Sequence, residues 1–409
     1  MNPELKELKN GVKLVVKPLR GLKSVTVEVG VKIGSKYEGI KEHGLTHFLE
    51  HMAFKGTSKR PTAAIINKEI DSRGASYNAG TTQESTIYYV TTVKENLAWA
   101  IEILADILND PRLETTEAIK EKEVIMEEIK MYQDNPRMGL TDEFYGFVLG
   151  KSPIGCWDIA GTVAEVSKYG RKDLVFYRQK MLNTKEMVVV VTGNVPEMKE
   201  VENIVEKYFG NIKTGNETLP TVKIEFNKEM TKEIIKSTEQ AHFCLGVKGI
   251  ARGDRKKYAL RLLEIILAGN SSSRLFQEIR ENRGWAYYVD SIGQSFTETG
   301  LVGIQTGVRK EKLEETIDLT KKILIDLHSS IDESELSRAK QYLRGRLGLA
   351  MDHSEFWSEY LDQKLLLEGE IGDLNTYMEM IEMVKLGELQ DLSKELFTKD
   401  KFRTLMIRG

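Results

Sequence analysis

The chain opens with short segments in which apolar and polar residues alternate, the pattern of half-buried β-strands. Val12–Val16 follows an Asn10-Gly11 pair, a frequent hairpin turn, and Val25–Val31 continues the alternation. Apolar residues then recur with helical spacing and predict helices at 63–72, 94–108, 115–132 and 171–180, before a buried strand at 187–192. The first half is therefore predicted to contain antiparallel strands followed by helices, a mixed α+β arrangement.

A similar order of elements occurs in the second half of the chain. The apolar run Phe243–Gly249 resembles Val27–Ile33, and a helical pattern at 257–268 follows it. Between the halves, residues 213–220 combine glycine, asparagine and proline and interrupt both periodicities. We expect two similar α+β domains at 1–214 and 223–409, each a mostly antiparallel sheet packed with helices, with a linker at 215–222. Gene duplication is a hypothesis for their origin.

Composition narrows the possible classes of function. The 409 residues are 41% hydrophobic, which suits a chain that buries a sizeable core. The 59 basic and 62 acidic residues nearly balance and give no indication of a nucleic-acid partner. No apolar run approaches the roughly 18 residues of a membrane span and no signal-peptide pattern opens the chain, so we expect no membrane partner and a cytoplasmic location. Cys156 and Cys244 match no metal or disulfide spacing and are predicted to be small core residues.

The strongest chemical signal is the pentapeptide His47-Phe48-Leu49-Glu50-His51. On a helix it brings two imidazoles and one carboxylate to nearly the same face, as in catalytic zinc sites of H-x-x-E-H order. The composition would give about 0.01 such pentapeptides per chain by chance. The alternative is a buried helix whose histidines form hydrogen bonds in the core, but a buried Glu50 without a cation would be costly. His43 is not included, because Gly44 indicates that it lies in a loop before the helix.

A catalytic zinc ion takes three protein ligands, so a third ligand is expected outside this motif. The helical pattern at 115–132 supplies two candidates, Glu121 and Glu128, which are seven residues apart. Both glutamates point in the direction of the apolar face of this helix, which is bracketed by Val124, Ile125, Met131 and Tyr132. A carboxylate on such a face requires a cationic partner. Periodicity alone does not decide which glutamate contacts the metal. Two nitrogens and one oxygen also suit manganese or cobalt.

These motifs resemble those of the M16 zinc peptidases, the family of mitochondrial processing peptidase, pitrilysin and insulin-degrading enzyme. The resemblance extends over essentially the whole chain and is carried by Gly44–Thr57, which looks most like the processing-peptidase β subunit and its bacterial relatives, and by Glu121–Ile129. It implies that His47, His51 and Glu128 bind one zinc ion per chain and that Glu121 supports the site. It also implies that the two domains form a clam-like half chamber.

Two further elements gain a role from the resemblance. It implies that Arg280 and Tyr287, seven residues apart, bind substrate, whereas their spacing alone favours an ordinary helix-end arginine and a core tyrosine. It also identifies Asn78 and Ala79, within the polar segment 75–82, as part of an edge strand that contacts the substrate backbone. From the residues alone, an ordinary hairpin with a polar face is an equal alternative.

Together these features predict a zinc-dependent endopeptidase in which Glu50 is the general base for the attacking water and Glu121 assists. The expected substrates are unfolded peptides or presequence-like segments cleaved in a closed chamber. A homodimer is expected, because the zinc motif and the arginine–tyrosine pair lie on different subunits of the processing peptidase but occur together in this chain. The alternative is a catalytically silent, zinc-containing scaffold or peptide-binding protein of the same fold.

Overall fold

The computed structural model describes residues 2–150, 152–156, 158–212, 219–220 and 222–408. Its strands, in chain order, are β1 (Glu4–Glu7), β2 (Lys13–Pro18), β3 (Ser24–Val31), β4 (Ser76–Thr81), β5 (Thr86–Val93), β6 (Met187–Gly193), β7 (Thr231–Ile235), β8 (Ala241–Lys248), β9 (Ala286–Ser295), β10 (Gly300–Val308) and β11 (Arg403–Arg408).

The first nine helices are α1 (Leu45–Ala53), α2 (Ala63–Asp71), α3 (Leu97–Asn109), α4 (Thr115–Asp134), α5 (Pro136–Leu149), α6 (Pro153–Cys156), α7 (Val163–Val166), α8 (Arg171–Met181) and α9 (Met198–Phe209). The later ones are α10 (Lys257–Ala268), α11 (Leu313–Ser330), α12 (Glu333–Ala350), α13 (Ser354–Gln363), α14 (Leu374–Met383) and α15 (Leu386–Leu396). The mixed α+β class predicted from the hydrophobic pattern is confirmed.

The first compact unit is built on a six-stranded sheet of order β1-β2-β6-β3-β5-β4. Glycine at position 11 adopts a φ of 91°, as the predicted hairpin turn requires, and β1 pairs antiparallel with β2. The all-buried strand β6 lies between β2, which it pairs in parallel, and β3, which it pairs antiparallel. Strand β4 pairs only with β5 among the described residues and forms one edge of this sheet, as predicted for the segment containing Asn78 and Ala79.

The second compact unit repeats this topology in a five-stranded sheet of order β7-β11-β8-β10-β9. Strand β7 pairs in parallel with β11, and the remaining pairs of this sheet are antiparallel. The first sheet has the same succession of one parallel pair and three antiparallel pairs, counted across the sheet from β2 to β4. The two segments whose similarity was noted in the sequence, Val27–Ile33 and Phe243–Gly249, coincide largely with the equivalent strands β3 and β8. Equal strand order over five strands supports the duplication hypothesis.

The two units are not the contiguous halves that the sequence predicts. The first unit comprises Met1–Ile129, Trp157–Val222 and Gly348–Asp373, and the second comprises Lys130–Cys156, Lys223–Leu347 and Leu374–Gly409. Helix α13 therefore packs on β3 and β6, and helix α5 packs on the equivalent strands β8 and β11. The composition of the sequence indicates a linker but not the sheet on which an amphipathic helix packs. The packing of α13 and α5 on these sheets was therefore not predicted. Within the predicted linker 215–222, residues 215–218 and 221 lie outside the described part of the chain.

Candidate metal centre

Helix α1 carries the H-x-x-E-H motif in the first unit. Residue 44, a glycine with φ of 85°, precedes the helix, and the apolar side chains of Phe48 and Met52 anchor it, with both fully buried. His47 and Glu50, which are buried, and His51, which is half-buried, lie on a different face of the helix. The amphipathic pattern of the motif thus fixes which side of the helix faces the site.

Three potential ligand atoms converge between α1 and α4. The Nε2 atoms of His47 and His51 lie 3.2 Å apart, and Oε2 of Glu128 lies 3.9 Å from the first and 3.5 Å from the second. Zinc–nitrogen bonds of about 2.0 Å in a tetrahedron place ligand atoms roughly 3.3 Å apart. The trio therefore has nearly the dimensions of a zinc coordination shell, and it is the one group of this kind found among the described residues.

A second layer of contacts orients His51. Its Nδ1 atom lies 2.8 Å from Oε1 of Glu121, whose Oε2 atom lies 2.6 Å from Nζ of Lys55. Donation from Nδ1 leaves the lone pair on Nε2 directed at the shared point with His47 and Glu128, as in carboxylate–histidine–metal triads. The buried Nδ1 atom of His47 has no hydrogen-bond partner in the described part of the chain.

The electrostatics of the site favour one positive charge. Burial is the largest influence on His47 and, with the neighbouring charge of His51, lowers its pKa to about 4. Burial also acts to lower the pKa of His51, but the carboxylates of Glu121, Glu128 and Glu50 outweigh it and raise that pKa to about 9. Three carboxylates around two imidazoles thus stabilise a cation at this position, and a divalent metal ion would satisfy them.

Glu50 is held beside the ligand trio without belonging to it. Its Oε2 atom accepts a hydrogen bond of 2.6 Å from Oγ1 of Thr81, on the edge strand β4. Burial raises the pKa of Glu50, and the hydrogen bond from Thr81 partly offsets this. A carboxyl group with a raised pKa next to a metal is suited to take up a proton at neutral pH.

The orientation of α4 corrects one prediction. Val124 and Met131, predicted to bracket the inward direction, are each 51% exposed, whereas the buried stripe runs along Ala118, Glu121, Ile125 and Ile129. The helix is therefore rotated so that Glu121 lies within the stripe and Glu128 lies at its margin. A glutamate at the margin of the buried stripe can reach an open site. The helical periodicity could not reveal this difference, because it treats the positions of Glu121 and Glu128 as equivalent.

Arg280 and Tyr287 lie together in the second unit. Arg280 belongs to a π-helical turn over Phe276–Glu281, and its Nη1 atom donates a 2.7 Å hydrogen bond to the carbonyl of Tyr287, on the edge strand β9. The guanidinium lies 5.1 Å from the Tyr287 ring centroid. Tyr287 is 71% exposed, so it is not the core residue that spacing alone favoured. Both groups are placed where a ligand can contact them.

Asn78 and Ala79 lie on β4, where they pair with Tyr89 and Tyr88 of β5. The side chain of Asn78 is exposed and accepts a 2.9 Å hydrogen bond from the backbone N–H of Ala79. Their outer main-chain groups are at the sheet edge, which is the geometry that accepts an added peptide strand.

Two contributors to the site were missed in the sequence. Lys55 lies one helical turn after His51, and Thr81 lies two residues after Ala79 and so on the same side of β4. Both positions could have been found by extending the two periodicities beyond the recognised motifs. Of the two cysteines, Cys244 is buried as predicted, and the side chain of Cys156 lies outside the description.

Known proteins resemble this chain over nearly its whole length. Residues 15–152 match the family described as insulinase (peptidase family M16), and residues 168–343 match the peptidase M16 inactive domain. The chain belongs to the M16 family of zinc peptidases. Among M16 relatives, the uncharacterized zinc protease YmxG of Bacillus subtilis (strain 168) is 33% identical over 395 residues, which cover 96% of this chain and 95% of YmxG.

Solved structures share the M16 fold. A protease from Helicobacter pylori superposes with a TM-score of 0.91 at 22% identity and covers 100% of this chain and 99% of its own. A chain of Complex III2 from Candida albicans superposes with a TM-score of 0.85 at 17% identity, covering 99% and 95%. At these identities the likeness concerns the fold. No helix within the described ranges combines the length and apolar character needed to cross a membrane.

Proposed function

We propose that this protein is a zinc-dependent endopeptidase that hydrolyses unfolded peptides or presequence-like segments. Its membership of the M16 zinc peptidases supports the class of reaction. The observation that carries the proposal is the position of Glu50, which adjoins the ligand trio but is held by Thr81 instead of pointing at the shared ligand point. A purely structural metal would not need this acid.

In the proposed mechanism, His47, His51 and Glu128 would hold one zinc ion, which would supply Lewis-acid activation of water and of the scissile carbonyl. Glu50 takes the proton of the attacking water and transfers it to the leaving amine. Glu121 holds the imidazole of His51 in the required tautomer through the contact at Nδ1.

The remaining predicted residues bind the substrate in this proposal. The edge of β4 at Asn78 and Ala79 accepts the extended peptide backbone, which gives affinity for many sequences because side chains are barely read. Arg280 and Tyr287 donate hydrogen bonds to a substrate carbonyl, for which a guanidinium and a phenol are suited. Both groups are accessible in the second unit.

The decisive experiment compares Glu50→Gln with the wild type. We expect the variant to keep one zinc per chain by metal analysis and to lose peptide hydrolysis by a factor of about 10² to 10⁴, the usual contribution of a general base. His51→Ala should lose both zinc and hydrolysis, and exposed Glu123→Gln on α4 is the matched control. Unchanged hydrolysis by the Glu50 variant would exclude its role as the base.

The proposed restriction to unfolded substrates is tested separately. A chamber closed around the site would admit an extended peptide and exclude a compact domain. We therefore expect cleavage of a protein after reduction and unfolding, with no cleavage of the same protein when folded. Equal rates on the two forms would show that no enclosure limits access, without affecting the assignment of Glu50.

A homodimer in a reducing, cytoplasmic setting completes the proposal. One chain carries both the metal trio and the arginine–tyrosine pair, so two identical chains supply every element twice. Sedimentation equilibrium should give twice the 46.5 kDa chain mass. A monomer at the concentration used for assay would disprove the dimer.

The competing scaffold function is distinguished by a chelator. The likeness to a chain of Complex III2 makes this comparison necessary. A silent scaffold would show the same absence of peptide products with and without a chelator, whereas the proposed enzyme loses activity on chelation and regains it with zinc. Manganese and cobalt added to the stripped protein would test the other metals that this ligand set accepts.

A further inference from the structure

The helix that carries the metal motif begins without a capping side chain of its own. Its N-cap residue is Gly44, with φ of 85°, and its first turn contains no acidic residue. A Cβ atom at this position would lie 2.5 Å from the backbone oxygen of Ala160, so a capping serine or aspartate does not fit there. The free N–H groups at the start of α1 therefore need an acceptor from elsewhere.

Glu38 supplies that acceptor from the preceding loop. Its Oε2 atom accepts a 2.8 Å hydrogen bond from the N–H of Gly44, and its Oε1 atom accepts one of 2.8 Å from the N–H of Thr46. The Glu38 residue is only 5% exposed. One carboxyl group thus accepts two hydrogen bonds from the first turn of the helix, immediately before His47.

A second tether acts on the same turn. Oγ1 of Thr46 lies 2.7 Å from the hydroxyl of Tyr177, a fully buried residue of α8. Glu38 restrains the main chain of Thr46 and Tyr177 restrains its side chain. Together they limit movement of the helix along its axis and rotation about it, the two movements that would displace both imidazoles from Glu128.

We propose that Glu38 is a positioning residue of the metal centre, which sets the place of His47, Glu50 and His51 relative to Glu128. This inference rests on the proposed zinc peptidase function. Ligand atoms that must meet within a few tenths of an ångström depend on such outer contacts as much as on the ligands themselves.

The burial of Glu38 indicates that its contacts matter. Burial is the largest influence on this group and, although the N–H groups of Thr46 and Gly44 act against it, raises its pKa to about 8. An apolar residue in this loop would avoid the cost of burying an acid but would leave both N–H groups without an acceptor. Glutamate is long enough to span the two donors at once.

The test is the zinc affinity of Glu38→Gln, measured on metal-free protein by competition with a chromophoric chelator. The amide keeps the size of the side chain but has one acceptor oxygen, so either Gly44 or Thr46 loses its partner. We expect zinc to bind roughly tenfold or more weakly, as for other outer contacts of metal ligands. At saturating zinc, kcat should fall while KM changes little, because the substrate-binding elements are elsewhere.

The matched control is Glu102→Gln on α3. Glu102 is also buried, and it accepts hydrogen bonds from Arg60 and Lys59 without touching α1. The Glu102→Gln substitution should lower the unfolding temperature of the protein but leave its zinc affinity at the wild-type value. An equal loss of zinc affinity in both variants would overturn the proposal, because the effect would then follow from general stability.

A shorter carboxylate provides a second route if Glu38→Gln fails to fold. Glu38→Asp keeps the carboxyl group but cannot span both N–H groups, so an intermediate loss of zinc affinity is expected. Wild-type affinity and kcat in a folded Glu38 variant would refute the positioning role. The affinity measurement needs no hydrolysis. If the wild-type protein cleaved no peptide but the Glu38 variant still bound zinc more weakly than the wild type, the peptidase function would be rejected and the positioning role of Glu38 would stand.

Discussion

Thr81 and Glu50 are joined by a hydrogen bond of 2.6 Å between Oγ1 and Oε2, which links the edge strand β4 to helix α1 of the candidate metal centre. The strand that would receive a substrate backbone therefore also holds the proposed general base. A substrate that pairs with β4 would be bound to the same element that orients Glu50. In the proposed mechanism, this connection would couple substrate placement to the position of Glu50.

Replacing Thr81 with valine tests this link. Valine keeps the branched shape and strand preference of threonine but cannot donate to Glu50. Hydrogen bonds to charged groups contribute about 1.5 to 3 kcal/mol, so we expect kcat to fall at least about tenfold. Zinc content should be unchanged, and Thr81→Ser should retain most activity. Wild-type kcat in the valine variant would show that Glu50 needs no support from β4.

Arg280 and Tyr287 offer a test of substrate binding in the second unit. Arg280→Lys removes the planar guanidinium that now lies beside the Tyr287 ring and donates to its carbonyl. We expect kcat/KM for a peptide to fall about tenfold or more, since such donors stabilise the developing oxyanion. Arg283→Lys, a change at a nearby arginine, is the control. Equal kcat/KM in both variants would leave Arg280 as a surface residue.

The sequence predicted the strands β2, β3, β6 and β8, the helices α2, α3, α4, α8 and α10, and the metal motif because each of these is encoded locally. The alternation in β3 and the spacing of Phe48 and Met52 in α1 identify a buried face without reference to the rest of the chain. The exposure of Val124 and Met131 was mispredicted, because α4 buries only one narrow stripe and both residues lie beside it. Apolar character alone does not distinguish a core position from an exposed one.

Properties that depend on distant segments were not predictable. Helix α13 joins the first unit although it follows more than 300 residues after β3, and no local pattern encodes which sheet it covers. The contacts of Glu38 and Thr81 likewise depend on loops and strands meeting α1 in space. Family resemblance assigned the ligands, whereas only the structure shows the residues that hold them in place.

Arg60 should be essential for the stability of the first unit. It is 2% exposed and contacts three carboxylates, with distances of 2.7 Å to Glu69, 2.6 Å to Glu102 and 2.6 Å to Asp106. Arg60→Met would leave these acids without their shared cation, which costs about 3 to 5 kcal/mol for a buried pair. Urea unfolding followed by tryptophan fluorescence measures this loss.

The matched control for Arg60 is Arg112→Met. Arg112 pairs with Glu114 at 2.8 Å, but both side chains are largely in solvent, with exposures of 39% and 45%. Such surface pairs contribute about 0 to 1 kcal/mol. If both variants lost the same free energy of unfolding, the Arg60 cluster would contribute no more than a surface ion pair.

Asp362 and Glu28 predict how stability depends on pH where α13 covers the first sheet. Asp362 is fully buried, and neither of its carboxyl oxygens has a hydrogen-bond partner among the described residues. A Cβ atom on the glycine at position 30 would lie 2.0 Å from Oδ1 of Asp362. Glu28, two residues earlier on the same face of β3, accepts a 2.8 Å hydrogen bond from Ser358, one helical turn before Asp362. The two acids therefore face each other across this contact.

The neutral forms of these acids are favoured in the folded protein. Burial, followed by the charge of Glu359, raises the pKa of Asp362 to about 8, and burial together with Asp362 raises the pKa of Glu28. An unfolded aspartate titrates at about 3.9, so the folded state binds more protons between these values. The stabilising contribution is complete below about pH 4 and is lost as pH rises through about 8.

Asp362→Asn should reduce this dependence, because asparagine resembles the protonated acid at every pH. We expect its free energy of unfolding to fall less than that of the wild type between pH 5 and pH 9, and to exceed the wild-type value at pH 9 by an amount on the order of a few kcal/mol. Urea unfolding across this pH range, with exposed Asp71→Asn as control, provides the measurement. Parallel pH profiles for wild type and Asp362→Asn would mean that Asp362 remains ionised in the folded protein. In that case an unmatched negative charge would lie beneath α13, and a bound cation would have to balance it.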